Sequence, residues 1–69
     1  MQTSARNVLK GTIRNLTHGA VNTEVVIEIA PGVEVVSIIT KASAERLGLV
    51  VGSTAYAIVK ASDVMVGAD

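Results

Sequence analysis

Two copies of one tripeptide, Lys41-Ala42-Ser43 and Lys60-Ala61-Ser62, and a related cluster near the start, Ser4-Ala5-Arg6-Asn7, concentrate hydrogen-bond donors at separate places in the chain. A lysine ammonium carries three N–H donors and no acceptor, an arginine carries five in a planar fork, and each serine adds an O–H that rotates toward whatever accepts it. Gathered by folding, such groups suit a small oxyanion that keeps no proton and therefore asks for no acceptor. A repeated tripeptide in a chain rich in Ala and Ser carries little weight by itself. The positions of the clusters give it weight, and those depend on the elements around them.

Composition bounds those elements. At 69 residues the chain is expected to form one domain, residues 1–69. A domain of this size buries only about 60% of its unfolded surface, and small folds compensate with disulfides, a structural metal or self-association. Cysteine is absent and His18 is the sole histidine, which removes disulfides and both thiolate and histidine zinc sites; no metal cation is expected. Self-association remains, and 49% apolar residues without Phe or Trp leave aliphatic surface for a subunit interface. Six basic and six acidic residues cancel, and Tyr56 is the single aromatic. Neither the basic face nor the stacking platforms of a nucleic-acid binder are present. No apolar run approaches the about 18 residues that cross a bilayer, and the N-terminus lacks the layout of a signal peptide, so a soluble cytoplasmic protein without a membrane partner is expected.

The dominant period is two. Val21, Thr23, Val25, Ile27 and Ile29 alternate with Asn22, Glu24, Val26, Glu28 and Ala30, the pattern of a half-buried strand. Ala30-Pro31-Gly32-Val33 reverses the chain, with Pro and Gly at the turn positions that suit them. Val33 to Ile39 is apolar on both faces after Glu34, which predicts a barrel wall covered by a partner or the interior of a sandwich. Thr40 caps a short helix over Lys41 to Leu47, and Gly48 ends it. Thr54 to Lys60 and Val8 to Leu16 are further strands, with Gly11 a bulge or a barrel corner and Thr17 to Ala20 a link. The tail from Asp63 to Val66 adds a short strand or a turn. The fold class is all-β: four or five strands with a short helix before the fourth, compatible with a small Greek-key barrel of the OB type. Lys41-Ala42-Ser43 then falls at a helix start, Lys60-Ala61-Ser62 at a strand end, and Ser4-Ala5-Arg6 at a strand beginning.

Four stretches resemble the molbindin, or Mop, family over nearly the whole chain. They are Ser4-Ala5-Arg6-Asn7 with Gly11-Thr12-Ile13, then Gly19 to Val25, then Ile38 to Leu49, and finally Ala55 to Val64. The resemblance implies an oligonucleotide-binding-type barrel that binds molybdate or tungstate in the cytoplasm, without an organic cofactor. It implies a homo-oligomer, a hexamer built as a trimer of dimers, with anion sites between subunits. By motif, Ser4 and Arg6 supply donors from one subunit, and Thr40, Ser43, Lys60 and the backbone N–H of Ala61 complete the site from its neighbour. Lys41 and Ser62 lie at its margin, Lys41 as general electrostatic support. A second site of backbone donors is expected over His18, Gly19, Ala20, Val21 and Asn22, where a glycine-containing turn offers consecutive N–H groups. With neither a helix-turn-helix segment nor a phosphate-binding glycine loop, storage or buffering fits better than regulation.

Each of these residues also has a plain structural role. Thr40 and Ser43 suit a helix cap, Ser62 a turn, Lys60 an aliphatic stem lying over an apolar patch, His18 a turn, and Glu24 and Glu28 an exposed strand face. No serine lies in a strand-turn-helix nucleophile motif, so no enzyme is expected. From another class, an assembly module whose barrel exists for its oligomer interface accounts for the apolar excess.

Overall fold

The computed structural model describes residues 1–69. Its strands are β1 (Asn7–His18), β2 (Asn22–Ala30), β3 (Val33–Thr40) and β4 (Thr54–Val59), with helix α1 (Lys41–Leu47) before β4 and a 3-10 turn (Ala61–Asp63) after it. All pairings are antiparallel and the order across the sheet is β3-β2-β1-β4. Three strands joined by hairpins, with a fourth returning by a longer connection to lie beside the first, is the Greek-key order. The strands form one curled sheet. Its edges, β3 and β4, are not paired with each other, so the barrel wall is open in a single chain.

The curl comes from β1. Residues Asn7 to Thr12 pair with β4 and residues Thr12 to His18 pair with β2, so the strand changes partner near its middle. A register shift between Ile13 and Asn15 leaves Arg14 as the extra residue of a bulge, which bends and twists a strand locally. Gly11 is therefore not the bulge. It marks a close approach instead: a Cβ there would overlap the Glu28 carbonyl oxygen and sit 2.7 Å from Ile27 Cγ2. The turn at Pro31-Gly32 forms as expected, with Gly32 at φ 75°. β1 runs to His18, two residues past the predicted end, because the hairpin closes tightly with Gly19 N–H on Asn22 O at 2.7 Å.

Inside the curl Ile13, Val25, Ile27 and Ala57 form the buried core, ringed by Leu16, Ile29, Val35, Ile39, Leu49 and Ala55. The alternation holds along β2, where Thr23, Val25 and Ile27 are buried and Glu24 is exposed. Along β3 the inner residues Val35, Ser37 and Ile39 are half-buried, while Val36 and Ile38 on the outer face are 60% and 61% exposed. No second sheet lies over them, so the sandwich expectation fails and one face of β3 is bare in the protomer. Thr40 caps α1 by accepting from Ser43 N–H at 3.0 Å. Gly48, at φ 64°, ends it, with Gly48 N–H on Glu45 O and Leu49 N–H on Ala44 O, the paired closure of a Schellman motif. That closure turns Leu49 toward the core and leads the chain to β4. No helix is long and apolar enough to cross a membrane.

Candidate functional site

Because β1 and β4 are antiparallel with Asn7 opposite Val59, the residues before β1 and those after β4 emerge side by side. Asn7 Nδ2 strengthens the junction by donating to the Val59 carbonyl at 3.2 Å. The outcome is a cleft lined by Ser4, Ala5, Arg6, Ile58, Lys60, Ala61, Ser62 and Asp63. Two of the three donor clusters thus meet within one chain. Arg6 and Lys60 are exposed, and the one ion pair of the chain joins Arg14 to Glu28 at 2.9 Å, so neither cation of the cleft is in ion-pair contact with a carboxylate of its own chain. After β4 the chain enters the 3-10 turn, closed by Asp63 N–H on Lys60 O at 2.8 Å and Val64 N–H on Ala61 O at 3.4 Å. The opening N–H groups of such a turn, those of Ala61 and Ser62, have no partner within it. Lys60 is the residue just before this turn, one past the end of β4.

The third cluster lies elsewhere. Thr40, Lys41 and Ser43 sit at the start of α1, beside the β1–β2 hairpin: Asn22 pairs with Thr40, and Lys41 N–H donates to Val21 O at 2.7 Å. The length of β1, roughly 35 Å of extended strand, separates this end from the cleft. The structure thus groups Lys60 and Ala61 with Ser4 and Arg6, and groups Thr40 and Ser43 with the second set, His18 to Asn22. His18 and Lys41 line a shallow dent there with Ala44, Glu45, Gly48, Leu49 and Val50.

At this helix end several of the expected donors are already engaged. Gly19 N–H bonds to Asn22 O, which removes it from the second set, while the N–H groups of Ala20 and Val21 bond to nothing in the chain. The Thr40 hydroxyl accepts from Ser43 N–H and donates to Ser43 Oγ at 2.8 Å. The Ser43 hydroxyl is left with its own hydrogen free to turn outward. His18 Nδ1 lies 2.9 Å from Thr23 Oγ1.

Sequence reasoning missed two residues here. Asp63 brings a carboxylate into the cleft of donors, although its place directly after Ser62 was visible. Thr23, fully buried, is the one polar residue of the interior; its signal was a hydroxyl in the inward register of β2.

Chemically, the cleft offers a guanidinium, an ammonium, two hydroxyls and backbone N–H groups toward one open space, with Asp63 the one carboxylate, an arrangement suited to an oxyanion. Comparison with known proteins agrees in fold and family. The TOBE domain model matches residues 3–66. Molybdenum-pterin-binding protein 2 of Clostridium pasteurianum is 48% identical over 66 residues, which are 96% of this chain and 97% of that protein. An apo structure of MopII from Clostridium pasteurianum superposes with a TM-score of 0.91 at 48% identity, covering 97% of this chain and 100% of that one. The cytoplasmic molybdate-binding protein ModG, solved with molybdate bound, superposes with a TM-score of 0.89 at 43% identity, covering 94% of this chain and 46% of that one. A match across nearly every residue, carried by sequence and backbone alike, means that this chain belongs to the TOBE-domain family, in its molbindin branch.

Proposed function

We propose that the protein binds molybdate, and the isosteric tungstate, reversibly in the cytoplasm, holding the oxyanion in store without chemistry on it. The observation that carries this reading is the convergence of Ser4, Arg6, Lys60, Ala61 and Ser62 on one cleft, where neither cation is ion-paired and Asp63 is the one carboxylate. The names of the relatives support the choice of anion. Selectivity rests on two features. Phosphate near neutral pH carries a proton, for which Arg6, Lys60 and the backbone N–H groups offer no acceptor, at about 1–3 kcal/mol if that proton is left unmet. Discrimination on this ground requires that Asp63 and the serine oxygens be turned from the anion. Sulfate has the same charge and shape as molybdate but is smaller, so its rejection needs a cavity of fixed size.

A rigid cavity in turn needs walls that one protomer lacks. The cleft residues are exposed, and Val36, Ile38, Tyr56 and Ile58 leave apolar surface uncovered. We therefore place the complete site between subunits of a homo-oligomer, a trimer of dimers, in which Thr40 and Ser43 of one subunit face Ser4, Arg6, Lys60 and Ala61 of the next. Lys41 adds positive potential at the junction. The N–H groups of Ala20, Val21 and Asn22, with His18, form the second site. The same bare apolar faces favour one other reading, an assembly module in which the anion is incidental.

Calorimetric titration with molybdate in large excess of sulfate and phosphate separates the two. Saturation near one or slightly more anions per chain is the expected result. An absence of heat, with equilibrium dialysis in agreement, leaves the assembly module. Dilution below the subunit dissociation constant is expected to abolish binding, and tight binding by a monomer refutes the shared site.

A further inference from the structure

The fully buried hydroxyl of Thr23 has one partner in the whole structure, His18 Nδ1 at 2.9 Å, and no access to water. Thr23 and His18 are directly opposite across β1 and β2, next to the hairpin that closes them. A hydroxyl can donate or accept, and so can a neutral imidazole nitrogen, so distance alone leaves the direction open. Burial decides it. Were Nδ1 protonated and donating, the Thr23 hydrogen would be enclosed without an acceptor, a costly arrangement that native interiors avoid. The hydroxyl therefore donates, Nδ1 accepts through its lone pair, and the ring proton resides on Nε2. The two nitrogens project from different edges of the ring, so with Nδ1 bonded to Thr23, Nε2–H belongs to the free edge; His18 borders the dent containing Lys41 and Glu45.

We infer that Thr23 is a positioning residue: its buried hydroxyl fixes the His18 tautomer so that the exposed edge of the imidazole presents one donor and no acceptor at the helix end. The inference rests on the oxyanion reading for its purpose and on hydrogen-bond geometry for its content. A histidine free to exchange tautomers would offer an acceptor part of the time, and that acceptor would welcome a protonated oxyanion. Locked, His18 offers the dent a donor beside Lys41, with Glu45 the one carboxylate there. Lys41 and Glu45 are the charged groups that line the dent with it.

The test reads the imidazole ¹⁵N signals of the full-length protein above neutral pH, first without anion. The wild type is expected to show Nε2 protonated and Nδ1 unprotonated. Thr23→Ser, which keeps the hydroxyl, is expected to preserve this pattern, and Thr23→Val, close in shape, to yield a mixture of tautomers. An Nδ1–H tautomer in the wild type, or an unaltered pattern in Thr23→Val, overturns the inference. Molybdate is then added: a shift confined to Nε2 is expected in the wild type. In Thr23→Val a half-competent population roughly doubles the apparent dissociation constant of that site. Saturation with molybdate that leaves Nε2 unmoved removes His18 as a ligand. Failure to bind any anion defeats the functional reading instead, while the tautomer measurement decides the role of Thr23 independently.

Discussion

The two ends of β1 are made of the same kinds of residue and behave differently. At the open end, Ser4, Arg6, Lys60 and Ser62 are exposed and the two cations have no carboxylate partner in the chain. At the helix end, Thr40 is engaged with Ser43, Thr23 with His18, and Gly19 with Asn22. The two Lys-Ala-Ser triplets make the contrast sharp. One begins an α-helix, where the backbone of its serine is the target of a cap; the other opens a short 3-10 turn with no side-chain cap. A donor group serves one acceptor well at a time, so structural use at the helix end leaves the open end with more capacity for a ligand. At the helix end the internal bonds leave over the hydrogen on Ser43 and the N–H groups of Ala20 and Val21, which, with the Nε2–H inferred for His18, are what this end has to offer the proposed ligand.

The largest expected effect tests this directly. Arg6→Ala at the open end is expected to weaken molybdate binding there by about 2–5 kcal/mol, because a buried charge pair in the assembled site is broken; calorimetry with unchanged affinity would remove Arg6 from the site. Next comes the segment joining the ends. Gly11→Ala forces a methyl against the Glu28 carbonyl and Ile27, and the overpacking is expected to cost about 1–3 kcal/mol in stability. Both ends are expected to lose affinity together in that variant, whereas loss at one end only would show that they fold as separate units.

Thr40→Ala addresses the helix end alone. Loss of the cap is expected to destabilise the protein by about 1 kcal/mol, with Thr40→Ser retaining most of the stability, both read from thermal melts. An unchanged melt for Thr40→Ala would mean that its hydroxyl serves the ligand and not the helix. The smallest effect is expected from Asp63, the carboxylate among the donors. Asp63→Asn removes a like charge from the anion's surroundings and is expected to tighten binding by under about 1 kcal/mol, a gain that high salt abolishes.

Local signals carried the elements well. Alternation along residues 23–28, the Pro31-Gly32 turn, the Thr40 cap and the Gly48 stop each act within a few residues, and the structure has them; Val21, expected inward, precedes β2 and is exposed. Where a long-range contact competes with a local preference, the local reading fell short. Gly11 reads locally as a bulge or a barrel corner; the bulge is at Arg14, and the missing Cβ of Gly11 instead serves the approach of β2 beside the point where β1 changes partner. The outer face of β3 reads locally as a barrel wall covered by a partner or the interior of a sandwich; no second sheet lies over it, and Val36 and Ile38 are exposed in the chain.

The sequence alone determined the chemistry available: donor clusters at Ser4–Arg6, at Thr40–Ser43 and at Lys60–Ser62, a neutral chain without cysteine, and strands with one capped helix. Tertiary structure decided which clusters meet and which donors remain free. The pairing of Asn7 with Val59 brings the first and last together, and the antiparallel run of β1 carries the middle one to the far end. Which atoms hydrogen-bond depends on the folded neighbours of each group, and those neighbours are set by strand register over tens of residues, beyond the reach of any local pattern.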